Sequence, residues 1–326
     1  MIYNSLNDIA DRFDLFLFDA YGVFWEGNKF YENSIETMHS LIAQNKIVVV
    51  ISNSTQMHKN LMESYGKRGM IAGSDYHFLI SSGDLLRYHL LKADIKFAAN
   101  PRPKKYFVIG QPHNTAFSDT PYQQVTNIKD ADFIYCGVPF LTEQDVAMYP
   151  QYQDLYWPVK SRNNDGIRLW DTLTAVPFIK TVEQAVALKL PVLNANPDFT
   201  AKEGHPLVPD SEAVFVIRNG TIAEMFRRRG AEVLEYGKPH ANIYNYTFSL
   251  LQSHGITINK ARTCMIGDTV RTDIKGGINA GITPVLCVAT GVTAEEISKG
   301  KTVKSLCLEQ NIALEQIIQI KSVGGY

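Results

Sequence analysis

Short runs of apolar residues alternate along this chain with segments in which apolar residues recur every three or four positions. Leu15–Phe18 and residues 47–51 are apolar throughout, as expected for strands buried on both faces of a parallel sheet. Between them lie four apolar residues that share one face of a predicted helix: Ile35, Met38, Leu41 and Ile42. The alternation predicts strands joined by crossover helices, which is the pattern of an α/β fold.

The same pattern returns near the end of the chain. Residues 263–266 read as a strand, residues 272–280 as a helix closed by a glycine, and residues 284–288 as another strand. Three predicted strands run directly into polar side chains, namely those of Asp19, Ser52 and Asp268. In an open α/β sheet, ligands bind beyond the carboxyl ends of the strands, where the strand order reverses. We therefore expect these side chains to meet in one crevice.

The middle of the chain has strand candidates of its own, at residues 106–109, 133–136, 191–193 and 213–217. It also holds the least regular stretch, residues 139–171, which is rich in Tyr, Trp, Pro and Asn. We interpret residues 84–232 as a second α/β domain inserted into the first. Residues 1–83 and 233–326 would then form a Rossmann-like core with a doubly wound parallel sheet.

Composition narrows the class of protein. The chain has 326 residues, 45% hydrophobic and 20% charged, with a net charge of -1. A nucleic-acid partner normally requires a basic stripe, and the densest basic cluster, residues 227–229, is typical of a solvated helix face. No apolar run approaches the roughly 18 residues of a membrane span, and no secretory signal is visible. With four scattered cysteines interpreted as buried thiols, we expect a cytoplasmic protein without a nucleic-acid or membrane partner.

The segment Gly267-Asp268-Thr269-Val270-Arg271-Thr272-Asp273 places two carboxylates five residues apart. One follows a predicted strand and the other opens the next helix, so both can face the same cation. Mg²⁺ prefers oxygen ligands and usually takes one or two protein carboxylates together with waters and phosphate oxygens. The alternative is that Asp273 merely caps the helix and Asp268 is incidental.

The segment Gly237-Lys238-Pro239-His240 precedes a predicted helix at residues 241–253. A Lys held by a Pro that starts a helix can supply a fixed positive charge to a phosphate and to a nucleophile. On its own the tripeptide is common, and an exposed Lys is the alternative. Residues 196–198, Asn-Pro-Asp, fit either a turn or an acid that reaches over the site from the inserted domain.

Together, Asp19, Ser52, Lys238 and the Asp268/Asp273 pair resemble the four-motif order of the haloacid dehalogenase superfamily. Flanking segments resemble the class IIA subclass, which has a large α/β cap between the second and third motifs and contains sugar-phosphate, nucleotide and p-nitrophenyl phosphate phosphatases. These segments are Gly22-Val23, residues 51–54, Ser81-Ser82-Gly83, Asn196-Pro197-Asp198 and Gly291-Val292-Thr293. The resemblance covers nearly the whole chain and is weakest at residues 139–180.

The resemblance implies a phosphatase that acts on a small phosphorylated metabolite through an aspartyl-phosphate on Asp19. Ser52, Asn53 and Lys238 would bind the phosphate, and Ser52 and Lys238 would also belong to the catalytic set. The implied cofactor is Mg²⁺, and its implied ligands are Asp19, the backbone carbonyl of Tyr21, Asp268 and Asp273. A homodimer is also expected from the resemblance, because caps of this class often pair.

Tyr21 departs from the pattern, because phosphatases of the superfamily carry an Asp two residues after the nucleophile as general acid and base. A phenol with an ordinary pKa near 10 is a poor base at neutral pH, so the enzyme is expected to be slow. Two alternatives stay open. In the first, the chain is a weakly active or inactive protein that binds a phosphorylated ligand. In the second, it is a 2-haloacid dehalogenase, because Asp-Ala-Tyr-Gly resembles the first motif of those enzymes. The metal motif and the cap position argue against the dehalogenase.

Overall fold

The computed structural model of the chain describes residues 1–26, 29–111, 116–160, 165–170, 172–204 and 213–325. Within these ranges the chain forms two parallel sheets with helices packed against them and three smaller antiparallel arrangements. The predicted α/β fold class, with a Rossmann-like parallel sheet, is confirmed.

The larger sheet has seven parallel strands among the described residues. Across the sheet, the order of its strands is Ile2–Tyr3, Ile318–Ile320, Thr283–Cys287, Thr263–Gly267, Leu15–Phe18, Ile47–Ser52 and Phe78–Ser81. All four residues of Leu15–Phe18 are buried, which agrees with the uninterrupted apolar run in the sequence.

The α-helices that belong with this sheet are Ser34–Ala43, His58–Gly66, Ser82–Lys92, Ala241–Ser253, Lys275–Ala280, Gly291–Ser298 and Val303–Glu309. 3₁₀ helices occur at Leu6–Arg12, Lys260–Arg262 and Leu314–Gln316. The helix predicted at 272–280 is preceded by a π-helical turn, Val270–Ile274, and ends at Gly281, whose φ is 72°. The helix predicted at residues 241–253 is present as Ala241–Ser253, with His240 as its N-cap. Pro239, which was expected at its start, lies just before that N-cap, and the Lys238–Pro239 bond is cis.

The second sheet has five parallel strands among the described residues. Their order is Val233–Glu235, Val192–Asn194, Phe133–Cys136, Lys105–Ile109 and Gln123–Gln124. Helices Ile179–Ala187 and Asn219–Arg227 contribute to the apolar cluster on one face of this sheet. Because its first strand lies beyond residue 232, the sheet extends past the boundary proposed from the sequence. The division into domains stays a prediction.

The stretch predicted to be irregular, residues 139–171, contains a three-stranded antiparallel sheet ordered Phe140–Leu141, Asp165–Leu169 and Tyr156–Lys160. It also contains the helices Glu143–Met148 and Pro150–Leu155, while residues 161–164 and 171 lie outside the described residues. The expectation of irregularity was therefore wrong for most of this stretch. The described residues also form two antiparallel strand pairs, Trp25–Glu26 with Lys29–Phe30 and Thr200–Glu203 with Val214–Ile217. Short 3₁₀ turns lie at Ile128–Asp130 and Val176–Phe178.

One apolar cluster is shared by the two parallel sheets. Leu17 and Met265 contribute to it from the larger sheet, and Phe133 and Tyr135 from the smaller one. The alternate residues of the same strand, Ile134 and Cys136, point to a separate cluster on the opposite face. The two sheets are therefore packed against a common core.

Within the described residues, no helix has both the length and the apolar character needed to cross a lipid bilayer. All four cysteines are free and buried, as the sequence suggested. Arginines 227 and 228 are paired with Glu224 on the surface of their helix, which fits the expected solvated face.

Candidate active site

The strand order of the larger sheet reverses between Leu15–Phe18 and Thr263–Gly267. The strands that follow Leu15–Phe18 in the sequence lie on one side of this pair, and the strands that follow Thr263–Gly267 lie on the other side. Asp19 follows the first strand and Asp268 follows the second, and the amide of Asp19 donates to the carbonyl of Ile266 at 2.9 Å. Both acids thus lie at the switch point, where this kind of sheet binds its ligands.

Three carboxylates form one cluster at this edge. One carboxylate oxygen from each of Asp19, Asp268 and Asp273 lies within 4.8 Å of the other two. Asp268 and Asp273 are buried, whereas 16% of the Asp19 side chain remains exposed. Asp19 is therefore the member of the cluster that a ligand can reach most easily.

Lys238 supplies the positive charge of the cluster. Its ammonium group contacts Oδ1 of Asp19 and lies 2.8 Å from Oδ1 of Asp273, and the side chain is 1% exposed. Burial alone would lower the pKa of Lys238, but Asp19 and Asp273 together raise it above its ordinary value. Lys238 is consequently a permanently charged group at neutral pH, held against the exposed acid.

If all its members were ionised, the cluster would hold three carboxylates against one ammonium group. Burial raises the pKa of Asp19 to about 7, an effect that Lys238 opposes and Asp273 strengthens. Burial, followed by repulsion from Asp273 and Asp19, raises the pKa of Asp268 well above its ordinary value. A further cation would relieve this repulsion, and a donor set made only of oxygens suits a hard divalent ion. The three acids therefore fit a divalent metal site.

Two glycines make room for Asp268. Gly22 and Gly291 have φ values of +77° and +60°, and a Cβ atom on either would overlap with Oδ2 of Asp268. The same oxygen accepts from the amide of Val292 at 2.6 Å, while Oδ1 accepts from the hydroxyl of Thr269 at 3.0 Å. The orientation of this buried acid is therefore fixed from both sides by the backbone around it.

Ser52 and Asn53 lie at the end of the neighbouring strand and line the same cavity as Asp19. Ser52 Oγ accepts from the amide of Ser54 at 3.1 Å. Nδ2 of Asn53 donates to the carbonyl of Lys238 at 3.0 Å and to Oδ1 of Asp198 at 2.9 Å, and its Oδ1 accepts from the amide of Lys238 at 2.7 Å. Asn53 thus supports the backbone of Lys238, and phosphate binding by Ser52, Asn53 and Lys238 stays a prediction.

We expect Asn53→Ala to lower the free energy of unfolding by about 2–4 kcal/mol, because it leaves both the amide and the carbonyl of buried Lys238 without their partner. Urea-induced unfolding measures the change. Asn279→Ala is a matched control, since its exposed side chain donates a similar bond to the carbonyl of Pro239 at 3.0 Å. The control is expected to change stability by less than about 0.5 kcal/mol. Equal losses in the two variants would contradict the supporting role of Asn53.

The cavity over Asp19 has a volume of about 100 Å³. One of its sides is formed by residues that come after the strand Val192–Asn194 of the smaller sheet. These residues are Asn196, Asp198, Thr200, Ala201, Lys202, Arg218 and Asn219. Three contacts join this segment to residues that follow strands of the larger sheet. Asp198 accepts from Asn53, Lys202 pairs with Glu26 at 2.9 Å, and Arg271 donates to the carbonyl of Pro197.

Arg271 lies between the two acids of the 268–273 segment, and its guanidinium group stacks on the ring of Phe199 at 3.5 Å from the ring centre. Asp198, for which the sequence allowed a turn or a place over the site, lines the cavity. The residues that close the cavity therefore cover the carboxylate cluster.

Two family profiles match this chain. Residues 16–119 match the family described as Haloacid dehalogenase-like hydrolase, and residues 235–306 match a second one described as HAD-hydrolase-like. Between them they include both strands of the switch point and all three carboxylates. The chain belongs to the haloacid dehalogenase superfamily. The recognition made from the sequence is confirmed.

Known relatives of the superfamily align over most of the chain. It is 24% identical over 297 residues to a 4-nitrophenylphosphatase of Schizosaccharomyces pombe, an alignment that covers 89% of this chain and 88% of the relative. It is 25% identical to the chloroplastic phosphoglycolate phosphatase 1A of Arabidopsis thaliana, with 89% and 72% covered.

A solved haloacid dehalogenase-like hydrolase from Brucella suis has the same fold, with a TM-score of 0.69, 20% identity and 98% of both chains covered. A possible sugar phosphatase from Cytophaga hutchinsonii gives a TM-score of 0.67 at 20% identity, with 100% of this chain and 99% of that chain covered. The match to both structures therefore extends over nearly the whole chain.

Tyr21 lies two residues after Asp19, at the position where the resemblance led us to expect an acid. Its ring packs edge-on against Trp25, with the ring centres 5.5 Å apart, and it lines the cavity over Asp19. The side chain is thus both part of the site's wall and part of the apolar packing beneath it. Whether its backbone carbonyl binds a metal stays a prediction.

Sequence reasoning missed two arginines near this cavity. Arg218 lines it, and Arg168 shares the carboxylate of Glu203 with Arg218. Arg168 belongs to the stretch that looked irregular, and Arg218 is a single basic residue before a helix. Neither pattern in the sequence distinguishes these residues from ordinary surface arginines.

Proposed function

We propose that the protein is a magnesium-dependent phosphatase that hydrolyses a small phosphate monoester through an aspartyl-phosphate on Asp19. The observation that supports this most directly is the cluster of Asp19, Asp268 and Asp273, two of which, Asp19 and Asp273, contact the ammonium group of Lys238. A protein that merely binds a phosphate has no need for a reachable carboxylate held by a buried lysine. The relatives, a 4-nitrophenylphosphatase and a phosphoglycolate phosphatase, support a monoester substrate.

In this proposal an oxygen of Asp19 attacks phosphorus and the ester P–O bond breaks. Because Tyr21 stands where an acid would be needed, the leaving alkoxide takes its proton from solvent water. Water then cleaves the acyl phosphate and releases phosphate, which regenerates the carboxylate. Lys238 orients Asp19 and offsets the charge of the incoming phosphate, and Ser52 binds its oxygens. Asn53 holds the backbone of Lys238 and thereby its ammonium group.

Mg²⁺ is proposed to be bound by Asp19, the carbonyl of Tyr21, Asp268 and Asp273. When bound, it supplies the charge neutralisation that lets a carboxylate approach an anionic ester. Residues 84–232 would act as the cap of class IIA, which excludes water and selects the leaving group. A cytoplasmic homodimer stays the expectation.

Tyr21, in place of an acid, favours a second candidate function. Without a general acid and base next to Asp19, turnover would fall by roughly 10²–10⁴-fold relative to a phosphatase that has one. If nothing substitutes for it, the chain would instead act by binding a phosphorylated ligand. The dehalogenase alternative receives no support from the metal-type cluster, because halide displacement requires no such site.

The deciding experiment is hydrolysis of p-nitrophenyl phosphate and a panel of small metabolite phosphates, each with Mg²⁺ and with EDTA. Release that requires Mg²⁺ is the expected result, and the panel then ranks the leaving groups. No release from any ester, although Mg²⁺ binds, would refute the phosphatase and favour the phospho-ligand binder. Halide release from 2-haloacids would be the assay to follow such a result.

Metal binding gives a further test that does not depend on turnover. Mg²⁺ at 100 times its dissociation constant stabilises a folded protein by about 2.7 kcal/mol, so we expect it to raise the unfolding temperature of the wild type. In Asp268→Asn the rise should disappear, while the metal-free variant is at least as stable because one buried charge of the cluster is gone.

Differential scanning calorimetry with Mg²⁺ and with EDTA measures both effects on unfolding. Asp130→Asn, a change at an exposed acid of the inserted segment, should keep the full rise. An unchanged response to Mg²⁺ in the Asp268 variant would show that the metal binds elsewhere.

A further inference from the structure

Asp198 lies on the side of the cavity that covers the carboxylate cluster. It belongs to the Asn-Pro-Asp segment, for which the sequence left a turn and an acid over the site as alternatives. The structure shows both properties, because the segment turns after strand Val192–Asn194 and Asp198 lines the cavity over Asp19. Asp198 is thus a carboxylate at the site that the three-acid cluster does not include.

The backbone of Asp198 is fixed by its neighbours. Its amide donates to Oδ1 of Asn196 at 3.0 Å, and its carbonyl accepts from the amide of Gly220 at 3.0 Å. A Cβ atom at position 220 would lie 2.5 Å from that carbonyl oxygen, so a glycine is needed for helix Asn219–Arg227 to approach this closely. Packed backbone therefore sets the position of the acid over the cavity, which suits a group that must act at one point.

The carboxylate of Asp198 has one engaged oxygen. Its Oδ1 accepts from Nδ2 of Asn53 at 2.9 Å, and Asn53 also holds the backbone of Lys238. Within the described part of the chain, Oδ2 of Asp198 has no hydrogen-bond or ion-pair partner. An ionised carboxylate accepts on the order of four hydrogen bonds, so Oδ2 is able to accept one from a water molecule in the cavity.

Two arginines near Asp198 make their direct contacts with other groups. Asp198 interacts electrostatically with Arg218 and Arg271. The guanidinium group of Arg218 contacts the carboxylate of Glu203, however, and that of Arg271 donates to the carbonyl of Pro197. The arginines therefore balance the charge of Asp198 without occupying its second oxygen.

The charge of Asp198 also acts on the cluster around Asp19. Burial raises the pKa of Asp19 to about 7, Lys238 opposes this effect, and Asp273 and Asp198 add to it. Asp198 is likewise one of the acids that raise the pKa of Lys238 against the effect of burial. Asp198 and Asp19 are therefore close enough to interact across the cavity that both of them line.

The geometry of the second chemical step requires a base on the covering side. When the phosphoryl group is on Asp19, water must approach phosphorus in line with the bond to be broken, and therefore from the side away from Asp19. The cavity has a volume of about 100 Å³, in which on the order of seven to ten non-hydrogen atoms fit. Since a phosphoryl group fills much of this space, a water molecule beyond phosphorus must lie against the covering wall, where Asp198 is.

We propose that Asp198 is the general base that activates water for hydrolysis of the aspartyl-phosphate, a role that Tyr21 leaves unfilled beside Asp19. The inference rests on the proposed function, because it assumes that the phosphoryl group is transferred to Asp19. The water oxygen attacks phosphorus while one of its protons passes to Oδ2 of Asp198. The bond between phosphorus and the Asp19 oxygen breaks, and its electron pair returns to the Asp19 carboxylate. Phosphate then leaves, and Asp198 releases the proton to solvent.

Asp198→Asn tests this role, because the amide can still accept from Asn53 but cannot take a proton from water. With p-nitrophenyl phosphate and Mg²⁺ we expect kcat to fall on the order of 10²-fold, while kcat/KM stays unchanged. The reason is that kcat/KM includes only the steps up to release of p-nitrophenolate, which need no base. Stopped-flow absorbance should show a burst of about one p-nitrophenolate per protein, and intact mass should show that the variant is phosphorylated during turnover.

Two further variants complete the experiment. Asp198→Glu keeps a carboxylate on the covering side and should recover part of the lost kcat. Asp154→Asn removes an exposed acid of the same inserted segment and should match the wild type in kcat and in burst amplitude. Thermal unfolding of each variant checks that the fold is retained.

The outcomes separate this role from the proposed function. A parallel fall of kcat and kcat/KM in Asp198→Asn, without a burst, would show that Asp198 only holds the covering segment to Asn53, and it overturns the general base. An unchanged kcat in that variant also overturns it and leaves the phosphatase proposal standing. Failure of the wild type to release p-nitrophenolate removes the phosphatase itself, and with it the role of Asp198.

Discussion

Replacing Asp19 with Asn should reduce phosphate release by roughly 10⁴–10⁶-fold, the size of loss that follows removal of a catalytic nucleophile. The amide nitrogen cannot form the acyl phosphate, and the amide oxygen is a weak nucleophile. The fold should persist, because the Asn side chain has the same shape and its oxygen can still accept from Lys238. Removal of one of three crowded acids also lowers the repulsion among them.

The comparison requires initial rates with Mg²⁺ and the best substrate of the panel, together with thermal unfolding of each variant. Asp11→Asn, an exposed position at the start of the same domain, is the control and should retain wild-type rates. Detection of a phosphorylated protein by intact mass, in the wild type but not in Asp19→Asn, would add direct support. Residual full activity in the Asp19 variant rules out the aspartyl-phosphate route.

Tyr21→Asp should raise the hydrolysis of alkyl phosphates on the order of 10²-fold, because it introduces the acid and base that the superfamily's phosphatases carry there. p-Nitrophenyl phosphate should gain less, since p-nitrophenolate leaves without a proton. The structure adds a penalty that the sequence does not show. The variant loses the ring that packs against Trp25, so the free energy of unfolding should fall by about 1–3 kcal/mol.

Tyr21→Phe separates the two contributions, because it keeps the ring and removes only the hydroxyl. We expect it to match the wild type with both substrates when rates are measured well below the unfolding temperature. A loss with every substrate in Tyr21→Asp, with no change in Tyr21→Phe, would show that the ring shapes the site. A loss in Tyr21→Phe would show that the hydroxyl itself contributes to turnover.

The centre of the site was predictable because its residues follow strands that are apolar throughout. Asp19 and Asp268 each end such a strand, and parallel strands bring their carboxyl ends to one edge of the sheet. Lys238 was predictable only from the order of the motifs, since its position in the crevice depends on the loop before helix Ala241–Ser253. The support that Asn53 gives to the Lys238 backbone spans 185 positions in the sequence and leaves no periodic pattern.

The surroundings of the site were not predictable for a different reason. Arg168 and Arg218 meet at Glu203 through an antiparallel sheet and a hairpin, and one strand of that sheet contains Pro158. Proline interrupts the pattern of a strand, and here its strand lies at the edge of the three-stranded sheet, where such a residue is tolerated. Short strands with this composition resemble loops, so their side chains could not be assigned to the cavity.

Arg271 connects the carboxylate cluster with the segment that covers it. It lies in the π-helical turn between Asp268 and Asp273, and it holds the covering segment through Pro197 and Phe199. Any ligand that favours the covered arrangement therefore also favours the arrangement of the turn that carries Asp273. By thermodynamic reciprocity, the factor by which the metal tightens substrate binding must equal the factor by which the substrate tightens metal binding. Arg271 is where that cooperativity would be transmitted.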